Sequence, residues 1–221
     1  MTSAAKIAAG LTGVTGTAGM GVGGLYLSSK EDIFSKVKDD ILGTESEFDA
    51  SWKAQFKKLS SDENVPKDLK KLKSVTGDKE QVAAIKGWCS SAYKTTYKSS
   101  FSSEQENLLK VVKKYCIQSL SEKLTDLISG NSGAKVLSTE GETDKADFTN
   151  NYKTLKDHKN TNGEKLDSSF ISFNHSTAEN DATTKWSELR DWCKGALTKS
   201  FKGESSDLFK TTKKFCIKSA Q

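Results

Sequence analysis

The feature that most constrains this chain is an internal duplication that carries all four of its cysteines. The two copies read Trp88-Cys89, then Lys113-Lys114-Tyr115-Cys116-Ile117, and Trp192-Cys193, then Lys213-Lys214-Phe215-Cys216-Ile217. An aromatic residue precedes every cysteine, and a Lys-Lys pair stands just before the aromatic residue of the second cysteine in each copy. The pattern predicts two related structural units, each with its own cysteine pair, rather than one catalytic centre.

The duplication extends upstream of the cysteines and sets the predicted domain boundaries. Phe48 and Trp52 match Phe148 and Tyr152, and a segment rich in Gly and Ser begins at Ser129 between the two copies. Such a composition is typical of a flexible linker. The sequence therefore predicts one repeat over 44–128, a linker over 129–143 and a second repeat over 144–221.

Apolar residues recur at helical spacing in each repeat and predict an all-α fold. The predicted helices are 46–59, 79–97 and 104–128 in the first repeat, and 145–157, 178–199 and 205–219 in the second. Ser103 and Glu106 have the spacing of a capping box for the helix over 104–128. A further helix is predicted over 31–43, and no run alternates convincingly with the period of a strand.

The N-terminus contains an uncharged run. Residues 7–29 carry no charge and are bounded by Lys6 and Lys30. As a helix this run would be just over 30 Å long, enough to cross a bilayer, so residues 1–30 are predicted to be a single transmembrane anchor. The spacing of Gly19 and Gly23 would let two such helices approach closely and self-associate. A cleaved signal peptide and a glycine-rich tail are the alternatives.

The cysteines are predicted to pair within each repeat, Cys89 with Cys116 and Cys193 with Cys216. A unit that is copied whole must satisfy its own cysteines, and each of the four lies on an apolar helix stripe. The second pair is less well matched in height along its two helices, so a register shift of about one turn is expected there. Buried reduced thiols are the alternative. A zinc site is not expected, because the C-x-x-C clusters typical of zinc ligands are absent.

Nothing in the sequence indicates an enzyme. His158 and His175 lie in polar stretches and are predicted to be solvated loop residues, and the four tryptophans are assigned to the core. No catalytic residue, cofactor or metal ligand is predicted. A nucleic-acid partner is not expected either, because the net charge is only +5 and Arg190 is the sole arginine.

The chain resembles the large paralogous families of uncharacterised proteins in haemotropic mycoplasmas. The likeness rests on Leu25-Tyr26-Leu27-Ser28 after a Gly-rich start, on the two Trp-Cys pairs, and on the Lys-Lys-[Tyr/Phe]-Cys-Ile motif. Chains in these families usually carry one such unit, so two copies are a departure. The resemblance implies a surface or membrane-associated protein with no established enzymatic activity, involved in antigenic variation or host-cell contact.

Two functions follow from these observations as expectations. The first is a membrane-anchored surface protein, located at the cell membrane with the bulk of the chain extracellular, whose partners are host surface or plasma proteins. The second is an intracellular membrane-bound scaffold with reduced cysteines. The lysines on either side of the uncharged run do not decide the orientation, because a strict count slightly favours the intracellular one.

Overall fold

The computed structural model describes residues 30–99, 103–158, 165–170, 173 and 175–218. These residues are mostly helical, as the sequence predicted, and the predicted membrane anchor lies outside them except for Lys30. The helices are α1 (Ile33–Val37), α2 (Asp49–Ser61), α3 (Lys67–Lys70), α4 (Asp78–Tyr93), α5 (Glu106–Tyr115), α6 (Leu120–Ile128), α7 (Lys145–Lys153), α8 (Ala178–Leu197) and α9 (Asp207–Phe215). Four short strands accompany them, β1 (Glu31–Asp32), β2 (Thr96–Lys98), β3 (Lys135–Val136) and β4 (Ile217–Lys218).

Each repeat is built around three of these helices, α2, α4 and α5 in the first and α7, α8 and α9 in the second. The predicted apolar stripes are the buried faces, with Ile85 and Cys89 of α4 and Leu189 and Cys193 of α8 all fully buried. α4 ends at Tyr93 rather than at the predicted residue 97, because residues 96–98 leave the helix to form β2. Likewise α9 ends at Phe215, before β4.

The helix predicted over 104–128 is wrong, because the structure breaks it into α5 and α6. The capping box predicted at Ser103 is also wrong, because the capping box forms at Ser119. Ser119 accepts a hydrogen bond from the backbone N–H of Glu122, whose carboxylate accepts from the N–H of Ser119. Gln105 is the N-cap of α5 and its side chain makes no capping bond. The capping box starts a new helix at Leu120, so α5 and α6 are separate elements.

A short strand-and-helix segment completes the core of the first repeat. β1 pairs antiparallel with β2, and the N–H of Ile33 donates to the carbonyl of Thr95 at 2.9 Å. Asp32 caps α1, which buries Ile33 and Val37 against the repeat. We call residues 31–37 the first head segment.

The second repeat has an equivalent head segment, residues 118–128. Ser119 bridges to Ser200, and the N–H of Leu120 donates to the carbonyl of Lys199 at 2.8 Å. Leu120 and Leu124 are buried with the four-residue spacing of Ile33 and Val37. α6 packs on β3, α8 and α9. It therefore occupies in the second repeat the place that α1 takes in the first, although the sequence assigned residues 118–128 to the end of the first repeat.

The segment predicted as a linker, 129–143, contains part of the second repeat's framework. β3 pairs antiparallel with β4, and Leu137 is buried. The N–H of Leu137 donates to the carbonyl of Cys216 at 2.9 Å, as the N–H of Leu42 does to the carbonyl of Cys116 at 3.4 Å. Since these two contacts correspond, the repeated framework begins upstream of residue 144.

The two repeats share one hydrophobic core. At their junction the rings of Phe48 and Phe201 meet edge to face with centroids 5.8 Å apart. The ammonium of Lys202 donates to the carbonyl of Ile41 at 3.1 Å. The repeats are therefore packed against each other rather than separated by a free linker.

Candidate functional site: the paired disulfides and the adjoining surface

The cysteines pair within each repeat, as the sequence predicted. Cys89 is bonded to Cys116 with a Cα–Cα distance of 5.8 Å, and Cys193 to Cys216 with 5.7 Å. All four are fully buried. Disulfide exchange requires a thiolate to reach one of the sulfur atoms. Because that access is closed here, the arrangement is suited to stapling the fold and not to redox catalysis.

The helix ends place the second cysteine of each pair in the same way. Cys116 follows the last residue of α5 and its N–H donates to the carbonyl of Val112 at 2.8 Å; Cys216 follows α9 and bonds to Thr212 at 2.9 Å. The register shift expected for the second pair is therefore not needed. The connections that follow α4 and α8 differ in length, but Cys116 and Cys216 stand at the same position relative to the ends of their own helices.

The prediction that both histidines are solvated is wrong. His158 is buried, and its ring lies edge to face with that of His175 at a centroid distance of 5.8 Å. Burial, and to a lesser degree the neighbouring His158, lowers the pKa of His175. The polar sequence around His158 gave no sign of this contact, because the two rings come from positions 17 residues apart in the chain.

In the described part of the chain, no three side chains of His, Cys, Asp or Glu are grouped so that they could hold a metal ion. The tryptophans divide into two classes: Trp52 and Trp186 are buried, whereas Trp88 and Trp192 are only partly buried against the core. The indole N–H of Trp192 donates to the hydroxyl of Ser169 at 2.9 Å.

None of the helices in the described ranges combines the length and the apolar character that crossing a bilayer requires. The run over residues 7–29, on which the anchor prediction depends, lies outside those ranges.

An open groove lies between α2 and α4 of the first repeat. Its volume is about 370 Å³, and its apolar side chains are Ala50, Val82 and Ala83. Ion pairs between Lys53 and Asp78 at 2.5 Å and between Lys86 and Asp49 at 2.6 Å cross its rim, and Lys79 completes the lining. The sequence does not indicate this groove, because the helical stripe alone assigns Val82 to the core.

Comparisons with protein-family models, with curated proteins and with solved structures give no match to this chain.

Proposed function

We propose that this chain is a membrane-anchored surface protein whose disulfide-bonded helical ectodomain contacts host components or presents variable surface. The observation that carries the proposal is the pair of buried disulfides, one within each repeat. Disulfides form and persist in oxidising compartments and are rare inside the cell, where thiols are kept reduced. The oxidised form of this fold therefore favours an extracellular ectodomain.

Two further features support the proposal. The uncharged run over residues 7–29 is long enough for a transmembrane helix, and the described residues begin directly after it with charged and polar surface. The resemblance to the mycoplasma surface families agrees with both. Residues 30–218 would then form the ectodomain, which stands close to the bilayer because the first head segment follows Lys30 at once.

Protease shaving of intact cells that express the full chain tests this proposal. Peptides from 30–218 should disappear when protease is added outside, and in unreduced digests Cys89 should remain linked to Cys116 and Cys193 to Cys216. A cytoplasmic protein followed in the same sample controls for lysis. Peptides that stay protected, together with thiols that alkylate without reductant, would contradict the proposal and favour the intracellular scaffold.

A second experiment isolates the anchor. Deleting residues 1–29 should move the chain from the membrane fraction to the aqueous fraction of a detergent phase separation. The full chain remaining in the aqueous phase would contradict the membrane part of the proposal.

A further inference from the structure

The two repeats differ in side-chain size and burial at one equivalent position. Val82 and Trp186 each stand seven residues before the first cysteine of their repeat, on the buried stripes of α4 and α8. Trp186 is 6% exposed, whereas Val82 is half-buried and lines the open groove between α2 and α4. The second repeat therefore has an indole where the first has space.

The second repeat places two cations near that indole. The ammonium of Lys145 lies 5.2 Å from the centroid of the Trp186 ring, and the guanidinium of Arg190 lies 5.1 Å from it. Arg190 is held there because it also donates to the carbonyl of Gly141 at 2.9 Å. The electron-rich face of an aromatic ring attracts a cation placed over it, and the attraction is strongest for tryptophan.

The first repeat keeps the cation but lacks the ring. Lys86 is the equivalent of Arg190, since each stands two residues before the tryptophan of the Trp-Cys pair, with one residue between them. Its ammonium donates to the carbonyl of Thr44 at 2.9 Å, in the loop that precedes α2, as Arg190 does to the loop that precedes α7. The side chain of Lys86 is thus fixed at the rim of a groove whose floor is apolar.

We propose that the groove between α2 and α4 binds an aromatic side chain of a partner protein, with tryptophan the best fit. A volume of about 370 Å³ is large enough to admit an indole. Ala50, Val82 and Ala83 offer apolar contact to the ring, and Lys86 offers a cation close to it. The carboxylates of Asp49 and Asp78 at the rim can accept the indole N–H. This inference does not depend on where in the cell the protein resides.

The test measures binding of N-acetyl-tryptophanamide to the full chain in lipid nanodiscs by saturation-transfer difference NMR, with the signal of empty nanodiscs subtracted. The wild-type chain should give a saturable signal, and N-acetyl-leucinamide should give none. Val82→Trp, which introduces the side chain found in the second repeat, should abolish the signal. Leu127→Trp is the matched control: it adds an indole at an exposed position of α6, so the signal should persist.

Ala50→Leu is a second variant that tests the same groove if Val82→Trp does not fold. Ala50 is exposed on α2, so a larger side chain there narrows the groove without disturbing the core. It should weaken the signal. The reverse change, Trp186→Val, should open the second groove and increase the signal. The proposal is overturned if the wild-type signal does not exceed that of empty nanodiscs, or if folded Val82→Trp and Ala50→Leu both bind like the wild type.

Discussion

The two repeats share the same arrangement of helices and disulfide, and they differ in the segment that packs over it. In both, a head segment, a central disulfide and three helices have the same relations. The segment between the first two core helices differs. In the first repeat it folds as α3, which buries Leu69. In the second it contributes Phe170, which packs on Trp192 and Phe215 with ring centroids 4.6 and 4.8 Å apart. The disulfide-bonded frame therefore tolerates large changes in the connections and grooves around it.

A constant helical frame with different connecting segments is what the proposed function would require. A surface protein that varies must keep its core while its exposed segments change. Here the parts in common are the buried cysteines and the helix ends that place Cys116 and Cys216, whereas a differing part, the groove beside Val82, is open to solvent.

The largest effect on stability is expected from Phe170 and Leu69, the buried side chains in the segments that differ between the repeats. Phe170→Ala should destabilise the protein by about 4 kcal/mol, because it leaves a cavity among three aromatic rings, and Leu69→Ala by about 3 kcal/mol. Both side chains are fully buried. Urea unfolding measures the two changes. A smaller loss of unfolding free energy for Phe170→Ala than for Leu69→Ala would show that the aromatic packing of Phe170 adds little to the stability of the second repeat.

The disulfides should contribute equally. Replacing Cys89 and Cys116 together by alanine should cost about 3 kcal/mol, and so should replacing Cys193 and Cys216, because loop-closure entropy depends only weakly on the separation. The separations are 27 and 23 residues. Thermal unfolding of the two double variants, compared with the reduced wild type, checks this. A loss confined to one pair would mean that one repeat carries most of the stability.

The sequence predicted the helical class, the duplication and both cysteine pairs, because each depends on local periodicity or on the copied motif itself. It missed the second head segment, and the helix predicted over 31–43 is shorter, since α1 spans only Ile33–Val37 after β1. Ser119 with Glu122 has the same capping-box spacing as Ser103 with Glu106, so spacing alone could not choose between them. The choice is made by tertiary contacts, since Leu120 buries its side chain beside a backbone bond to Lys199.

A sequence signal for the early start of the second repeat's framework does exist. Residues 41–45 read Ile-Leu-Gly-Thr-Glu, and residues 136–140 read Val-Leu-Ser-Thr-Glu. Aligning these five residues would have placed the start of the second framework before residue 144. The groove beside Val82 and the contact between the two histidines could not be found in this way, because both depend on how separate helices and loops are packed.

The smallest effect concerns acid stability. The Lys114 ammonium and the Tyr115 hydroxyl bond to Asp62 and hold the pKa of its carboxyl well below its usual range. A lowered pKa stabilises the fold above about pH 4, and that contribution is lost as the pH falls further. Phe215 replaces Tyr115 in the second repeat and has no hydroxyl. Asp62→Asn should therefore make unfolding less sensitive to pH between about 4 and 2.

Asp126→Asn is the control for this prediction, with the opposite sign. Burial, and to a lesser degree Glu122, raises the pKa of Asp126, so its contribution is present at low pH and lost as the pH rises through its raised pKa. Replacing it should leave the loss below pH 4 in place. Equal acid profiles for Asp62→Asn and the wild type would contradict the assignment.

The claim that α6 is the head of the second repeat is tested most directly by native-state hydrogen exchange on the full chain. Ile85 and Leu189 are equivalent, and both are fully buried. Amides that open together report one cooperative unit. Leu189→Ala should lower the protection of the α6 amides together with that of α8 and α9, and Ile85→Ala should lower the protection of α1 while largely sparing α6. Loss of α6 protection in Ile85→Ala but not in Leu189→Ala would contradict the account.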